Sequence, residues 1–223
     1  MYFKIKKLLE NGHHINFFYN NKVFLPKENK ARPALFLDRD GVIIKEKHFI
    51  SKPSDVELED GISDLIDLAN MLQLPIVIIT NQSGIARKIT KWDDYFQVTE
   101  KMLTLINPQN TLIAIYANGL GVDSPNFSWR KPSPEMILNA ANFLKLDLSR
   151  SLLIGDRLSD LTSGLNAGLL NFFHLSTGHG NAEREEVKKF FSQDKYSDSI
   201  KIRYFDKLEG ELFNDIRVFI GQE

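Results

Sequence analysis

The stretch "ALFLDRDGVI", residues 34–43, ends an apolar run with two aspartates, Asp38 and Asp40, and a glycine. The run is short, and its apolar residues do not alternate with polar ones, which is typical of a β-strand that is buried on both faces of a sheet. Two carboxylates one residue apart repel each other, so their neighbourhood favours a bound cation. Because Mg²⁺ prefers oxygen ligands, we expect a magnesium site at the end of this strand.

The composition of the 223-residue chain narrows the class of protein. Hydrophobic residues make up 43% and charged residues 26%, as in an ordinary globular domain. The net charge of −1 argues against a nucleic-acid partner, which needs a cationic surface. No apolar run approaches the ~20 residues that cross a bilayer, and the N-terminus is a poor signal peptide, so we expect no membrane partner and a cytoplasmic location. The absence of cysteine excludes disulfides, thiol catalysis and cysteine-ligated zinc.

The first apolar run is followed by others of the same kind, which indicates a repeating strand and helix order. Buried strands are predicted at 75–80, 111–117, 151–156 and 169–175, and an edge strand at 199–205, where apolar and polar residues alternate. Helical patterns lie between them at 61–72, 93–106 and 133–146. This order predicts an α/β fold with a mostly parallel central sheet flanked by helices. Residues 1–32 form a separate N-terminal extension of unknown role, a short helix, a hairpin or a loose arm, before a domain over residues 33–223.

Polar residues follow the first four predicted strands at the edge of the sheet where such folds bind ligands. In chain order they are Asp38 and Asp40, Thr80 and Asn81, Arg130 and Lys131, and Asp156 and Asp160. Each loop alone is explained as a turn or a helix cap. Four such loops after four buried strands are hard to obtain independently, and together they predict one functional site.

The segments "FLDRDGVI", "IITNQSGIAR", "RKPSPEMI" and "LLIGDRLSDL" resemble the four motifs of the haloacid dehalogenase (HAD) superfamily of phosphatases. The resemblance covers about residues 33–180. Within the superfamily it points to the branch of the heptose bisphosphate and histidinol-phosphate phosphatases, and "NQSGIAR" favours the heptose enzymes. It implies a three-layer Rossmann-like HAD fold. The insertion points for large caps are nearly empty, so we expect no large cap domain.

The resemblance also implies a catalytic role for four residues. Asp38 is expected to attack phosphorus and form an aspartyl-phosphate. Asp40 is expected to protonate the leaving alcohol and then to activate water. Thr80 and Lys131 are expected to hold the phosphoryl group, with Lys131 neutralising charge on it and on Asp38.

Metal and substrate ligands follow from the same resemblance. Arg130 suits a second phosphate or sugar hydroxyls because its guanidinium presents a fork of donors, and Arg87 and Asn81 are further substrate-binding candidates. His48 and His179 are weaker candidates for the pocket wall. The expected Mg²⁺ ligands are Asp38, the backbone carbonyl of Asp40, and Asp156, with Asp160 in direct or indirect support.

The chain departs from its resemblance in one loop. Members of this branch usually carry a zinc loop of three cysteines and a histidine, but "ANGLGVDSPNFSW", residues 117–129, has neither residue type, so no zinc is expected. We expect a small phosphorylated substrate, a sugar phosphate such as D-glycero-D-manno-heptose 1,7-bisphosphate. The alternatives are histidinol phosphate, another small phosphorylated metabolite, or a non-catalytic partner protein that retains the fold. The sequence leaves the oligomeric state open.

Overall fold

The computed structural model describes residues 8–10, 13–18, 31–107, 113–123, 128–196 and 199–221. In these ranges the strands are β1 (Leu8–Glu10), β2 (His13–Phe18), β3 (Leu35–Leu37), β4 (Ile76–Asn81), β5 (Ile113–Asn118), β6 (Leu152–Gly155), β7 (Asn171–Leu175) and β8 (Lys201–Phe205). The α-helices are α1 (Ile62–Met71), α2 (Ser83–Ala86), α3 (Trp92–Ile106), α4 (Glu135–Leu144), α5 (Leu158–Ala167), α6 (Gly180–Phe191) and α7 (Glu211–Ile220).

All the described strands form one sheet in the order β1-β2-β5-β4-β3-β6-β7-β8. The six strands from β5 to β8 along this order pair in parallel, and β1 and β2 are antiparallel additions at the β5 side. β8 lies at the opposite edge, as its alternating sequence predicted. The strand that carries "ALFLD" is β3, which lies between β4 and β6 and brings the loops after these three strands together.

Two hydrophobic cores cover the two faces of the sheet. Successive side chains of a strand point to opposite faces, so Phe36 joins one core while Leu35 and Leu37 join the other. Helices α1, α3 and α7 cover the face of Leu35, and helices α4, α5 and α6 cover the face of Phe36. The result is the predicted three-layer α/β arrangement, and the burial of both faces explains why the strands lack polar alternation.

The predicted elements agree with the structure except near their ends. Helix α4 begins at Glu135, two residues after the start of the predicted pattern at 133–146, because the 130–133 segment forms a turn in which the Ser133 N–H donates to the Arg130 carbonyl at 2.9 Å. The connection from β3 to α1 contains only a 3₁₀ turn, Pro53–Asp55, as a helix, so no cap domain lies there. Among the residues described, no helix has both the length and the apolar character to span a membrane.

Part of the N-terminal extension joins the sheet. β1 pairs with β2 from Leu8–Ile15 to Glu10–His13, and β2 pairs with β5 from His13–Asn118 to Phe18–Ile113. Of the three forms considered for residues 1–32, a hairpin is the one that the described part adopts. The rest of the extension lies outside the described residues, and the division of the chain at residue 32 stays a prediction.

Candidate active site

The carboxyl ends of β3, β4 and β6 bring three of the sequence-predicted residues to one point. Asp38 follows β3, Thr80 is the second-to-last residue of β4, and Asp156 follows β6. One carboxylate oxygen from each of Asp38, Asp156 and Asp160 lies within 4.8 Å of the others, and all three residues are buried. The sequence predicted that the first two would lie close enough to share an ion, and this proximity is present.

Lys131 lies inside the carboxylate cluster. Its Nζ is 2.7 Å from Asp38 Oδ1, 2.6 Å from Asp160 Oδ1 and 3.1 Å from the carbonyl oxygen of Ile79. The residue is 4% exposed, so these contacts replace its hydration. One ammonium group facing three carboxylates leaves an excess of negative charge when all are ionised.

The pKa values of the cluster reflect that excess. Burial raises the pKa of Asp38 to about 7, with Asp160 and Asp40 adding to the shift and Lys131 opposing it. Burial also raises the pKa of Asp156 well above its usual range, again with contributions from Asp160 and Asp38. For Lys131, burial acts to lower the pKa, but the attraction of Asp160 and Asp38 outweighs it and the pKa rises. The buried site therefore favours an additional positive charge.

The carboxylate oxygens of Asp156 and Asp160 differ in whether the protein gives them a hydrogen bond or an ion pair. Asp160 Oδ2 accepts a hydrogen bond from the Arg157 N–H at 3.0 Å, and its Oδ1 faces Lys131. Asp156 Oδ2 accepts one from the His179 N–H at 2.7 Å, but its buried Oδ1 has no hydrogen-bond partner among the described residues. An orphaned buried carboxylate oxygen beside Asp38 fits a Mg²⁺ ligand, and the role of Asp160 as a ligand or in indirect support stays a prediction.

Asp40 is contacted by two residues that the sequence analysis missed, Arg39 and Gln82. Arg39, fully buried, donates to both Asp40 oxygens, from Nε at 3.1 Å and from an NH2 group at 2.9 Å. Gln82 Nε2 donates to Asp40 Oδ2 at 3.1 Å and to Thr80 Oγ1 at 2.8 Å. These contacts fix the orientation of the Asp40 carboxylate next to Thr80. Arg39 and Gln82 lie inside the segments "DRDG" and "TNQSG", and this position was the sequence feature that could have identified them.

Asn81 holds the backbone of Lys131. Both ends of its amide bond the backbone of Lys131: Oδ1 accepts from the Lys131 N–H at 3.1 Å, and Nδ2 donates to the Lys131 carbonyl at 3.2 Å. Asn81 also lines the cavity above the site. The amide thus holds the loop that presents Lys131, and the expected contact of Asn81 with substrate stays a prediction.

A cavity of about 570 Å³ opens over the carboxylate cluster. Arg130 is half-buried in its wall, and burial, together with the charges of Arg87 and Arg157, lowers the pKa of its guanidinium. Arg87 lies over the ring of Phe49, 5.7 Å from its centroid. His48 and His179 also line the cavity. Arginines in the wall of a cavity that opens over the carboxylate cluster suit a ligand with a second anionic group.

The shortened loop before Arg130 is fixed by hydrogen bonds. The buried Asn118 side chain accepts from the Leu120 N–H at 3.3 Å and donates to the Leu120 carbonyl at 3.2 Å. The same carbonyl accepts a hydrogen bond from Arg130 Nη1 at 3.4 Å. In the described part of this loop, hydrogen bonds to Leu120 therefore fix the backbone before Arg130. Residues 124–127 lie outside the described residues.

His174 is fully buried next to the site. Its Nε2 is 3.0 Å from the carbonyl oxygen of Asp156. A carbonyl oxygen only accepts hydrogen bonds, so Nε2 carries the proton. Burial lowers the pKa of His174 to about 4, so the imidazole is neutral near pH 7.

Comparison with known protein sequences finds similarity to HAD-like hydrolases and to heptose-1,7-bisphosphate 7-phosphatases. A family model described as HAD-hydrolase-like matches residues 128–201. A heptose-1,7-bisphosphate 7-phosphatase for the α-anomer from Campylobacter jejuni is 40% identical over 171 residues, 72% of this chain and 96% of that protein. One for the β-anomer from Mesorhizobium japonicum is 38% identical over 144 residues, 61% of this chain and 66% of that protein.

Solved structures give the same picture of the fold. A HAD-like phosphatase from Mesorhizobium loti superimposes with a TM-score of 0.77 at 28% identity, covering 96% of this chain and 95% of that one. A D,D-heptose 1,7-bisphosphate phosphatase from B. bronchiseptica, complexed with magnesium and phosphate, superimposes with a TM-score of 0.69 at 22% identity, covering 83% of this chain and 99% of that one.

Proposed function

Since this chain belongs to the HAD superfamily of phosphatases and hydrolyses phosphoric monoesters, we propose that it is a Mg²⁺-dependent sugar-phosphate phosphatase whose substrate is a heptose bisphosphate. The observation that carries the chemistry is the buried cluster in which Lys131 bridges Asp38 and Asp160 beside Asp156. The observation that favours a bisphosphate is the group of arginines in the cavity wall. The names of the relatives support the same substrate class.

The first half-reaction is phosphoryl transfer to Asp38. Lys131 holds one Asp38 oxygen, and the other attacks phosphorus, so that an Asp38–phosphorus bond forms while the bond to the sugar oxygen breaks. Asp40 gives its proton to the departing sugar oxygen. The Thr80 hydroxyl and Lys131 bind phosphoryl oxygens and keep the group in line.

The second half-reaction is hydrolysis of the aspartyl-phosphate. Asp40, now a carboxylate, takes a proton from a water molecule that attacks phosphorus, and phosphate leaves with Asp38 restored. Arg39 and Gln82 orient the Asp40 carboxylate for this step through the contacts described above. Asp38, Asp156 and the backbone carbonyl of Asp40 are the proposed Mg²⁺ ligands, with Asp160 in support. Mg²⁺ bound there neutralises phosphoryl charge and orients the phosphate.

Arg130 provides the test of substrate. We expect Arg130→Ala to lower kcat/KM on the heptose bisphosphate by about 10- to 100-fold, because a charge-assisted hydrogen bond to the distal phosphate is worth about 1.5–3 kcal/mol. An aryl monophosphate has no distal phosphate, so its kcat/KM should change less than about twofold. Arg130→Lys is the matched control, because it keeps the charge without the fork of donors. Its kcat/KM on the heptose bisphosphate should lie between those of wild type and Arg130→Ala.

The same steady-state assays also compare substrates. The proposal requires that the wild-type enzyme prefer a heptose bisphosphate, as either anomer, to histidinol phosphate. Equal losses on the bisphosphate and the aryl phosphate in Arg130→Ala, or a preference for histidinol phosphate, would leave a phosphatase with a different substrate.

Metal content provides a separate test. After treatment with a chelator, activity should be lost, because without a cation the buried carboxylates repel the negatively charged phosphate. Added Mg²⁺ should restore the activity. Elemental analysis of the protein purified without a histidine tag should find no stoichiometric zinc, since the chain has no cysteine to hold it. One tightly bound zinc per chain would contradict this expectation and direct attention to the histidines.

A further inference from the structure

The protein holds the Asp156 carboxylate through one of its two oxygens. It has no exposed surface, and its Oδ2 accepts a 2.7 Å hydrogen bond from the backbone N–H of His179. His179 is the N-cap of helix α6, so the positive end of that helix faces the carboxylate. With Oδ2 engaged, the buried Oδ1, which accepts no hydrogen bond from the described residues, is the oxygen left to bind a cation.

Two glycines pack directly against the Asp156 carboxylate. Gly178 has φ +53 and Gly41 has φ +84, both in the left-handed region. A Cβ atom added at Gly178 would lie 2.4 Å from Asp156 Oδ2 and 2.8 Å from Gly41 Cα, and one added at Gly41 would lie 2.6 Å from the same oxygen. The carboxylate therefore cannot rotate toward either backbone, and a side chain at Gly178 would displace it.

The loop that contains Gly178, residues 176–180, also joins the other strand ends. Thr177 Oγ1 donates to the Gly41 carbonyl in the loop after β3. His174, at the end of β7 before this loop, donates from Nε2 to the Asp156 carbonyl at 3.0 Å. The loop thus contacts the segments after β3 and β6 at once, through Gly41 and Asp156.

We infer that the 176–180 loop, together with His174, positions the Asp156 carboxylate for Mg²⁺. These residues are positioning residues, since none of them belongs to the carboxylate cluster itself. The inference rests on the proposed Mg²⁺ dependence. It assigns a function to "STGHG", residues 176–180, which follows the fifth apolar run of the sequence and carries none of the proposed catalytic groups.

Gly178→Ala tests the contact, and Gly210→Ala is its matched control. Gly210 has φ +47, close to that of Gly178, but an added Cβ would meet nothing within 4 Å. Both variants therefore place a side chain at a positive φ, and only Gly178→Ala disturbs Asp156. Isothermal titration of chelator-treated full-length protein with Mg²⁺ should show a Kd about 10- to 100-fold weaker for Gly178→Ala, the range for residues that orient metal ligands, and within about twofold of wild type for Gly210→Ala.

Every outcome of the titration decides between the alternatives. A wild-type Kd in Gly178→Ala, or equal weakening in both variants, would overturn the inference while leaving the proposed metal dependence intact. A wild-type protein that binds no Mg²⁺ would overturn the proposed function instead. If Gly178→Ala does not fold, His174 gives a second test. His174→Gln retains a donor and should bind Mg²⁺ within about threefold of wild type, whereas His174→Leu should bind it about 10-fold more weakly or worse.

Discussion

Replacing Asp38 by Asn should lower turnover of every phosphoester substrate by about 10⁴-fold or more, because an amide oxygen does not attack phosphorus to give a stable acyl-phosphate. The fold should be retained. Asp38 shares the buried cluster with two other carboxylates, and its ionised form is opposed by burial and by Asp160. Removing its charge therefore relieves repulsion, so the free energy of unfolding of the metal-free protein should not fall.

The measurement is steady-state kinetics on an aryl phosphate and on the heptose bisphosphate, with circular dichroism to confirm folding. Asp67→Asn, on an exposed position of α1, is the matched control for the change of residue type and should leave activity unchanged. Asp40→Asn should lose about 10²–10⁴-fold, as for a general acid and base. Near-normal turnover by Asp38→Asn would show that the reaction does not pass through an aspartyl-phosphate on this residue.

The metal-free protein should become less stable as the pH rises from about 4 to about 7. The pKa of Asp38 is raised from 3.8 to about 7 by burial, so in this window the unfolded chain has lost a proton that the folded protein retains. The folded state then binds more protons than the unfolded state, and the free energy of unfolding falls with pH. A difference of about three pKa units corresponds to at most about 4 kcal/mol at about 1.4 kcal/mol per unit. The raised pKa of Asp156 acts in the same direction.

Urea unfolding at pH 5 and pH 8, in chelator and in Mg²⁺, measures this effect. The pH-dependent loss should be smaller in Asp38→Asn, which has no proton to release there, and the difference between the two proteins isolates the contribution of Asp38. Mg²⁺ should reduce the loss in wild type, since a cation takes the place of the proton. A pH dependence identical in wild type and Asp38→Asn would contradict the raised pKa of this carboxyl.

The arrangement of strands and helices was predictable because it depends on short-range patterns. A strand buried on both faces must be apolar at consecutive positions, as in residues 35–37 and 76–79, and an amphipathic helix must repeat its apolar residues every three or four positions. Parallel connection through helices then places the ends of β3, β4 and β6 at one edge. The meeting of Asp38 with Asp156 follows from this topology alone.

The chemistry of the loops was predictable for a related reason. Carboxylates, a hydroxyl and cations directly after buried strands have few purely structural explanations when they occur together, and their order matches a known motif set. The sequence therefore determined the fold class and the phosphatase activity, and it predicts the position of the site. The roles of individual residues, Asp38 and Asp40 included, stay predictions that the experiments above address.

Only the tertiary structure decided which partner each side chain takes. Asn81 holds the backbone of Lys131, 50 positions away, and Thr177 contacts Gly41, 136 positions away. Such pairs depend on strand register and on rotamers, which no local pattern specifies. The same holds for the pairing of β2 with β5 and for the support of Asp156 by Gly178, because a close packing contact exists only where two distant backbones are brought within van der Waals distance.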